Sequence, residues 1–89
     1  MANLFYGKIN TNGKFVKLSE ATGLTIQSGI TYMMQPQGVI ATYTSDGDIP
    51  EDGGFLVYNN PIMRFELNSN EELYIKTFNS NGVNVNIAT

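Results

Sequence analysis

Short runs of β-branched and aromatic residues recur along this chain, and clusters of Asn, Gly, Ser and Pro interrupt them roughly every 8–12 residues. That rhythm leaves no room for long helices. Residues 19–22 (Ser19, Glu20, Ala21, Thr22) suffice for one helical turn, and Gly23 would stop it. The expected fold is therefore all-β: a small antiparallel β-sandwich or barrel of about eight short strands, in one domain spanning residues 1–89.

The runs are 4–9, 14–18, 24–27, 30–35, 39–44, 54–58, 62–67, 72–78 and 82–87. Asn12-Gly13 predicts a type I′ turn, because both residues tolerate positive φ, and so predicts a hairpin between 4–9 and 14–18. The near-copy Asn79-Ser80-Asn81-Gly82 predicts a second hairpin at the C-terminal end, 72–78 with 82–87. Asn59-Asn60-Pro61 reads as a tight turn between 54–58 and 62–67, and Pro36 interrupts its run as a turn or a sheet edge, because it has no N–H for a ladder. Alternation assigns faces. Met63, Phe65 and Leu67 point inward against Arg64 and Glu66, and Val83, Val85 and Ile87 point inward against Asn84 and Asn86. The last strand, one-sided in pattern, reads as a sheet edge and docking edge, with 72–78 as its interior neighbour.

Composition excludes several chemistries. There is no Cys, and therefore no disulfide framework or thiolate metal site. There is no His, which removes the commonest general base and metal ligand. The formal net charge is −3, and the basic residues Lys8, Lys14, Lys17, Arg64 and Lys76 are scattered, so no nucleic-acid footprint is expected. No run reaches the ~20 apolar residues that span a bilayer, and residues 1–4 lack a leader's charged and apolar regions. No membrane association is expected, and the chain reads as made in a cytoplasm.

Two groups of residues are candidates for function. Asp46, Asp48, Glu51 and Asp52 crowd a glycine-bearing loop, which is oxygen-ligand chemistry for a hard cation, though without EF-hand spacing. The plainer reading is a solvated connection, so no cofactor or metal is expected. The aromatic residues say more. In 72–78, Tyr74, Lys76 and Phe78 oppose Leu73 and Ile75; in 54–58, Leu56 and Tyr58 oppose Phe55 and Val57. A sheet wet on one side does not need two apolar faces. Either these strands lie between two layers, or their second face meets another chain. Tyr43, Tyr58, Tyr74 and Phe78 are the candidate interface residues.

The closing pattern, residues 73–77 (Leu73 to Thr77) followed by 82–88 (Gly82 to Ala88), resembles small all-β accessory virion proteins of tailed bacteriophages. These are capsid decoration (head auxiliary) proteins and the small β-domains associated with head fibres or tails. The opening pattern, Asn12-Gly13-Lys14-Phe15 and then residues 18–24, is similar in style. The resemblance implies a non-enzymatic structural protein located in the virion and assembled in the host cytoplasm. It implies the major capsid protein or another virion protein as partner, and a homo-oligomer such as a trimer. A small carbohydrate-binding module is the alternative, because Tyr, Asn and Asp suit sugar rings and hydroxyls.

Overall fold

A computed structural model describes residues 2–89 of the chain; Met1, the first residue of the segment read for a leader, lies outside them. The elements are β1 (Asn3–Ile9), β2 (Val16–Lys17), α1 (Leu18–Thr22), β3 (Tyr32–Gln37), β4 (Ile40–Ser45), β5 (Phe55–Val57), β6 (Met63–Phe65), β7 (Glu72–Thr77) and β8 (Val83–Ala88). They form two four-stranded antiparallel sheets, ordered β1-β8-β3-β6 and β2-β7-β4-β5, packed together as a small all-β sandwich. The one-turn helix ends where expected. Gly23, with φ 77°, donates its N–H to the Ser19 carbonyl.

The two sheet orders match position by position. Wherever the first sheet holds β1, β8, β3 or β6, the second holds β2, β7, β4 or β5, the next or preceding strand of the same chain segment. The molecule is therefore four long antiparallel segments, 3–17, 72–88, 32–45 and 55–65, each bent once so that one half lies in each sheet. Corners of this kind let a segment switch sheets while keeping the same neighbouring segments. Every corner carries positive φ: Asn12 and Gly13, Gly38, Asn59 and Asn60, and Gly82.

This corrects the expected hairpins. The Thr11–Lys14 turn does form, with the Lys14 N–H donating to the Thr11 carbonyl at 3.2 Å. Yet β1 pairs with β8 and β2 pairs with β7, so the turn is a corner rather than a hairpin loop. The Asn59-Asn60 turn likewise carries the chain from β5 in one sheet to β6 in the other, and residues 79–82 carry it from β7 to β8. Positive φ at Asn-Gly dictates a reversal of local twist, but not which sheet the next residues join.

Two buried threonines lock the corner shared by segments 3–17 and 72–88. The Thr11 N–H donates to Thr77 Oγ1 at 3.0 Å, and the Thr77 N–H donates to Thr11 Oγ1 at 2.9 Å. The hydroxyls themselves lie 3.3 Å apart. Strand pairing lapses where the chain turns between sheets, and these side chains supply the acceptors that the ladder no longer provides. Beside them the two similar turns touch: Asn10 Nδ2 donates to the Ser80 carbonyl at 2.9 Å. Gly82 sits so close that a Cβ there would come within 2.8 Å of the Ile9 carbonyl oxygen.

Other expectations change as well. β8 lies between β1 and β3, so the terminal strand is central and cannot be a docking edge; the outer strands are β1, β6, β2 and β5. Pro36 lies inside β3, opposite Val85, rather than ending it. β6 reaches along β3 only to Met34, so a missing N–H beyond that point is tolerated as at an edge. Residues 24–27 are not a strand, but Leu24 and Ile26 still pack on the core. The inward faces are as the alternation reads: Val83, Val85, Ile87 and Leu67 are buried, and Met63 and Phe65 are half-buried against the core. Tyr32 joins them, stacked on Phe65 at 5.4 Å, with its hydroxyl accepting the Gln27 N–H. Ile30, at the start of the same run, is exposed.

Candidate functional site: the outer face of the second sheet

The register of β7, β4 and β5 builds one surface. Ile40 pairs with Thr77 on one side and Val57 on the other, and all three turn toward the interior. The alternate residues therefore face outward: Lys76, Ala41 and Leu56 across one row, and Tyr74 and Tyr43 across the row beyond. One step past the last paired positions, toward the corner, come Phe78, Val39 and Tyr58. Val39, Leu56, Tyr58 and Phe78 are 45%, 61%, 58% and 53% exposed. Leu56 stands on β5 itself, and Val39, Tyr58 and Phe78 lie one residue beyond the ends of β4, β5 and β7, so alternation places these open apolar side chains toward one end of the outer face.

Half of the same face is already covered by the chain itself. Phe15 folds over it from the β1–β2 corner and forms a small second core with Ala41 and Tyr74. Its ring meets Tyr43 edge-on at 6.4 Å. Ala41 leaves the space that the Phe15 ring fills. Gly54 comes down on the other side, where a Cβ would lie 3.0 Å from the Phe15 ring and 2.8 Å from the Thr42 carbonyl oxygen. The Lys76 ammonium lies between two rings, 4.8 Å from the centre of Phe15 and 5.4 Å from that of Phe78. A cation over a ring face is attracted by about 0.5–2 kcal/mol, more as water is excluded. Asp52 approaches the same ammonium at 4.0 Å, but its carboxylate is almost wholly in solvent, so this pair adds little. Lys76 thus pins the inner side of the Phe78 ring and leaves its other side to solvent.

Three of the four predicted interface residues, Tyr43, Tyr58 and Phe78, are exposed on this face. Tyr74 is the correction: it points to the same face but is 2% exposed, sealed by Phe15. Both faces of β7 are buried from Leu73 to Thr77, so its two-sided apolar pattern reflects a strand between two layers. Val39 was missed by sequence reasoning; an apolar residue directly after Gly38 was the available signal.

The acidic loop does not gather its carboxylates. Among the described residues no group of three or more Asp or Glu side chains is placed to hold a metal ion. Asp52 turns toward Lys76, while the loop is held by Ser45, whose hydroxyl donates to the Asp48 carbonyl and accepts the Gly47 N–H. Of the scattered basic residues, Lys76 is buried while Lys8 and Lys14 are exposed. Among the described residues no helix is long and apolar enough to cross a membrane. No family model, no curated protein and no solved structure matches the chain.

Proposed function

We propose that this protein is a non-enzymatic structural virion protein of a tailed phage, which decorates the capsid or anchors a fibre. It docks through the outer face of the β2-β7-β4-β5 sheet, with another virion protein, foremost the major capsid protein, as the partner. The observation that carries the reading is Leu56 on β5 with Phe78, Val39 and Tyr58 just past the strand ends, all open to solvent. The patch is uncharged apart from the ring-held Lys76, as the centre of a protein–protein interface is expected to be. The phage assignment rests on the resemblance in the closing and opening patterns, together with the absence of Cys and His from the sequence.

The test is immunogold labelling of purified particles of the virus whose genome encodes the chain. Labelled heads or fibres are the expected result. A chain found only in the soluble lysate, with unlabelled particles, sinks the proposal.

A further inference from the structure

β1 is the one long outer strand: seven residues, against three in β6, three in β5 and two in β2. Its register on β8 shifts once, between Asn3 and Phe5, and then runs regularly from Phe5 to Ile9. An outer strand of this length turns a row of N–H and C=O groups away from its own sheet, a template for another strand. Two of the usual defences are present, the register irregularity at the start of the strand and α1 packed nearby, and the others are sparse. β1 contains no Pro and a single charge, Lys8, which lies on the outer face rather than pointing inward. Tyr6 and Leu4 share that face, 57% and 41% exposed.

From this we infer that β1 pairs with β1 of a second copy, antiparallel across a twofold axis at Tyr6, joining two sheets into one. The sequence is complementary to itself in that register. Around Tyr6, Leu4 of each copy lies opposite Lys8 of the other, so the only charge on the strand never meets its like, and the Lys stem covers Leu4. On the inner face Phe5 lies opposite Gly7, and the space over that glycine is already filled by the Phe5 ring of its own strand, 3.2 Å from where a Cβ would stand, so this position asks for no side chain from the partner. Tyr6 meets Tyr6 at the axis. A parallel arrangement would set Lys8 against Lys8 and is disfavoured. Isologous contacts of this kind close on themselves and stop at two copies per edge.

The inference gives a form to the homo-oligomer that the phage resemblance implies and uses a different face from the proposed docking surface, so the two can fail separately. Loss of particle binding on changing Tyr58 and Phe78 concerns the outer face of the second sheet, whereas the experiment here reads β1 alone. The chain has no Cys, so Tyr6→Cys introduces a unique thiol. Opposed residues of antiparallel strands have Cα atoms about 4.5–5.5 Å apart, within disulfide reach. Under mild oxidation at ~100 µM protein, Tyr6→Cys should form a covalent dimer ~10-fold faster than Ser69→Cys, a thiol in the exposed 68–71 turn, because association raises the local thiol concentration. Sedimentation equilibrium should show the unmodified chain as a dimer at that concentration. Tyr6→Lys, which sets like charges at the axis, should be monomeric with an unchanged circular dichroism spectrum. Equal cross-linking of the two thiols overturns the inference, as does a dimer that survives Tyr6→Lys. A chain that stays monomeric overturns it too, and leaves the edge to a strand from a different protein.

Discussion

Replacing Thr77 by Val tests the corner most sharply. The two side chains have nearly the same shape, and Thr77 is 1% exposed beside a hydrophobic core, so a packing argument predicts little change or a gain. The hydrogen-bond argument predicts the reverse. Thr77 Oγ1 is the acceptor for the Thr11 N–H at 3.0 Å, and no ladder partner is available at the corner to replace it. Leaving one buried N–H unpaired costs about 1–3 kcal/mol. Losing the contact between the hydroxyls at 3.3 Å adds about 0.5–1.5 kcal/mol. The expected destabilisation is therefore about 1.5–4.5 kcal/mol, or a Tm lower by about 6–36 °C in a domain of this size. Thr77→Ser keeps the acceptor and loses one methyl group, about 0.8 kcal/mol. Thr11→Val should match Thr77→Val, because the arrangement is reciprocal. The double Val variant should be less destabilised than the sum of the single changes by about 1 kcal/mol, since either change alone already removes the shared hydroxyl contact. Urea unfolding followed by circular dichroism measures all four. A Thr77→Val protein as stable as the parent, or more stable than Thr77→Ser, would refute the claim that these hydroxyls complete the ladder.

Other expectations follow from single contacts. Gly82→Ala should lower stability by at least about 1–2 kcal/mol, since its φ is +81° and its Cβ would crowd the Ile9 carbonyl; thermal melting reads this. Tyr74→Asp should leave the chain largely unfolded by circular dichroism, whereas Tyr58→Asp should melt close to the parent, because one is buried under Phe15 and the other stands in solvent. Lys76→Met should change the Tm little, because it keeps the aliphatic stem between the Phe15 and Phe78 rings and gives up only a ring-held charge and a weak solvent-exposed pair. Calcium at millimolar concentration should leave the Tm unchanged, and a clear rise would mean that the carboxylates of the 45–53 loop converge in solution.

Strand content and inward faces were legible because alternation is local. Val83, Val85 and Ile87 mark a buried face whatever strand lies beside them. Partnership was not legible. A positive-φ Asn-Gly pair serves a hairpin and a sheet-switching corner equally well. What decides between them here is contact between residues far apart in sequence, such as Thr11 with Thr77, 66 positions away. Tyr74 shows the same limit within the candidate site. Its orientation toward the outer face follows from the pattern of β7, but its burial depends on Phe15, which arrives from another segment through the first corner. Tyr43, Tyr58 and Phe78 escaped that cover, so the reading of an aromatic outer face survived for them and failed for Tyr74.

The measurement closest to the central claim is co-sedimentation of the purified chain with particles of its virus from which this protein has been stripped or deleted, comparing the parent with a Tyr58→Asp, Phe78→Asp variant. The account predicts that the parent pellets with the particles in many copies. The variant should stay in the supernatant with its melting curve close to the parent's, because both side chains lie outside the core. A variant that pellets as well as the parent, or a parent that never pellets, would contradict docking through this face.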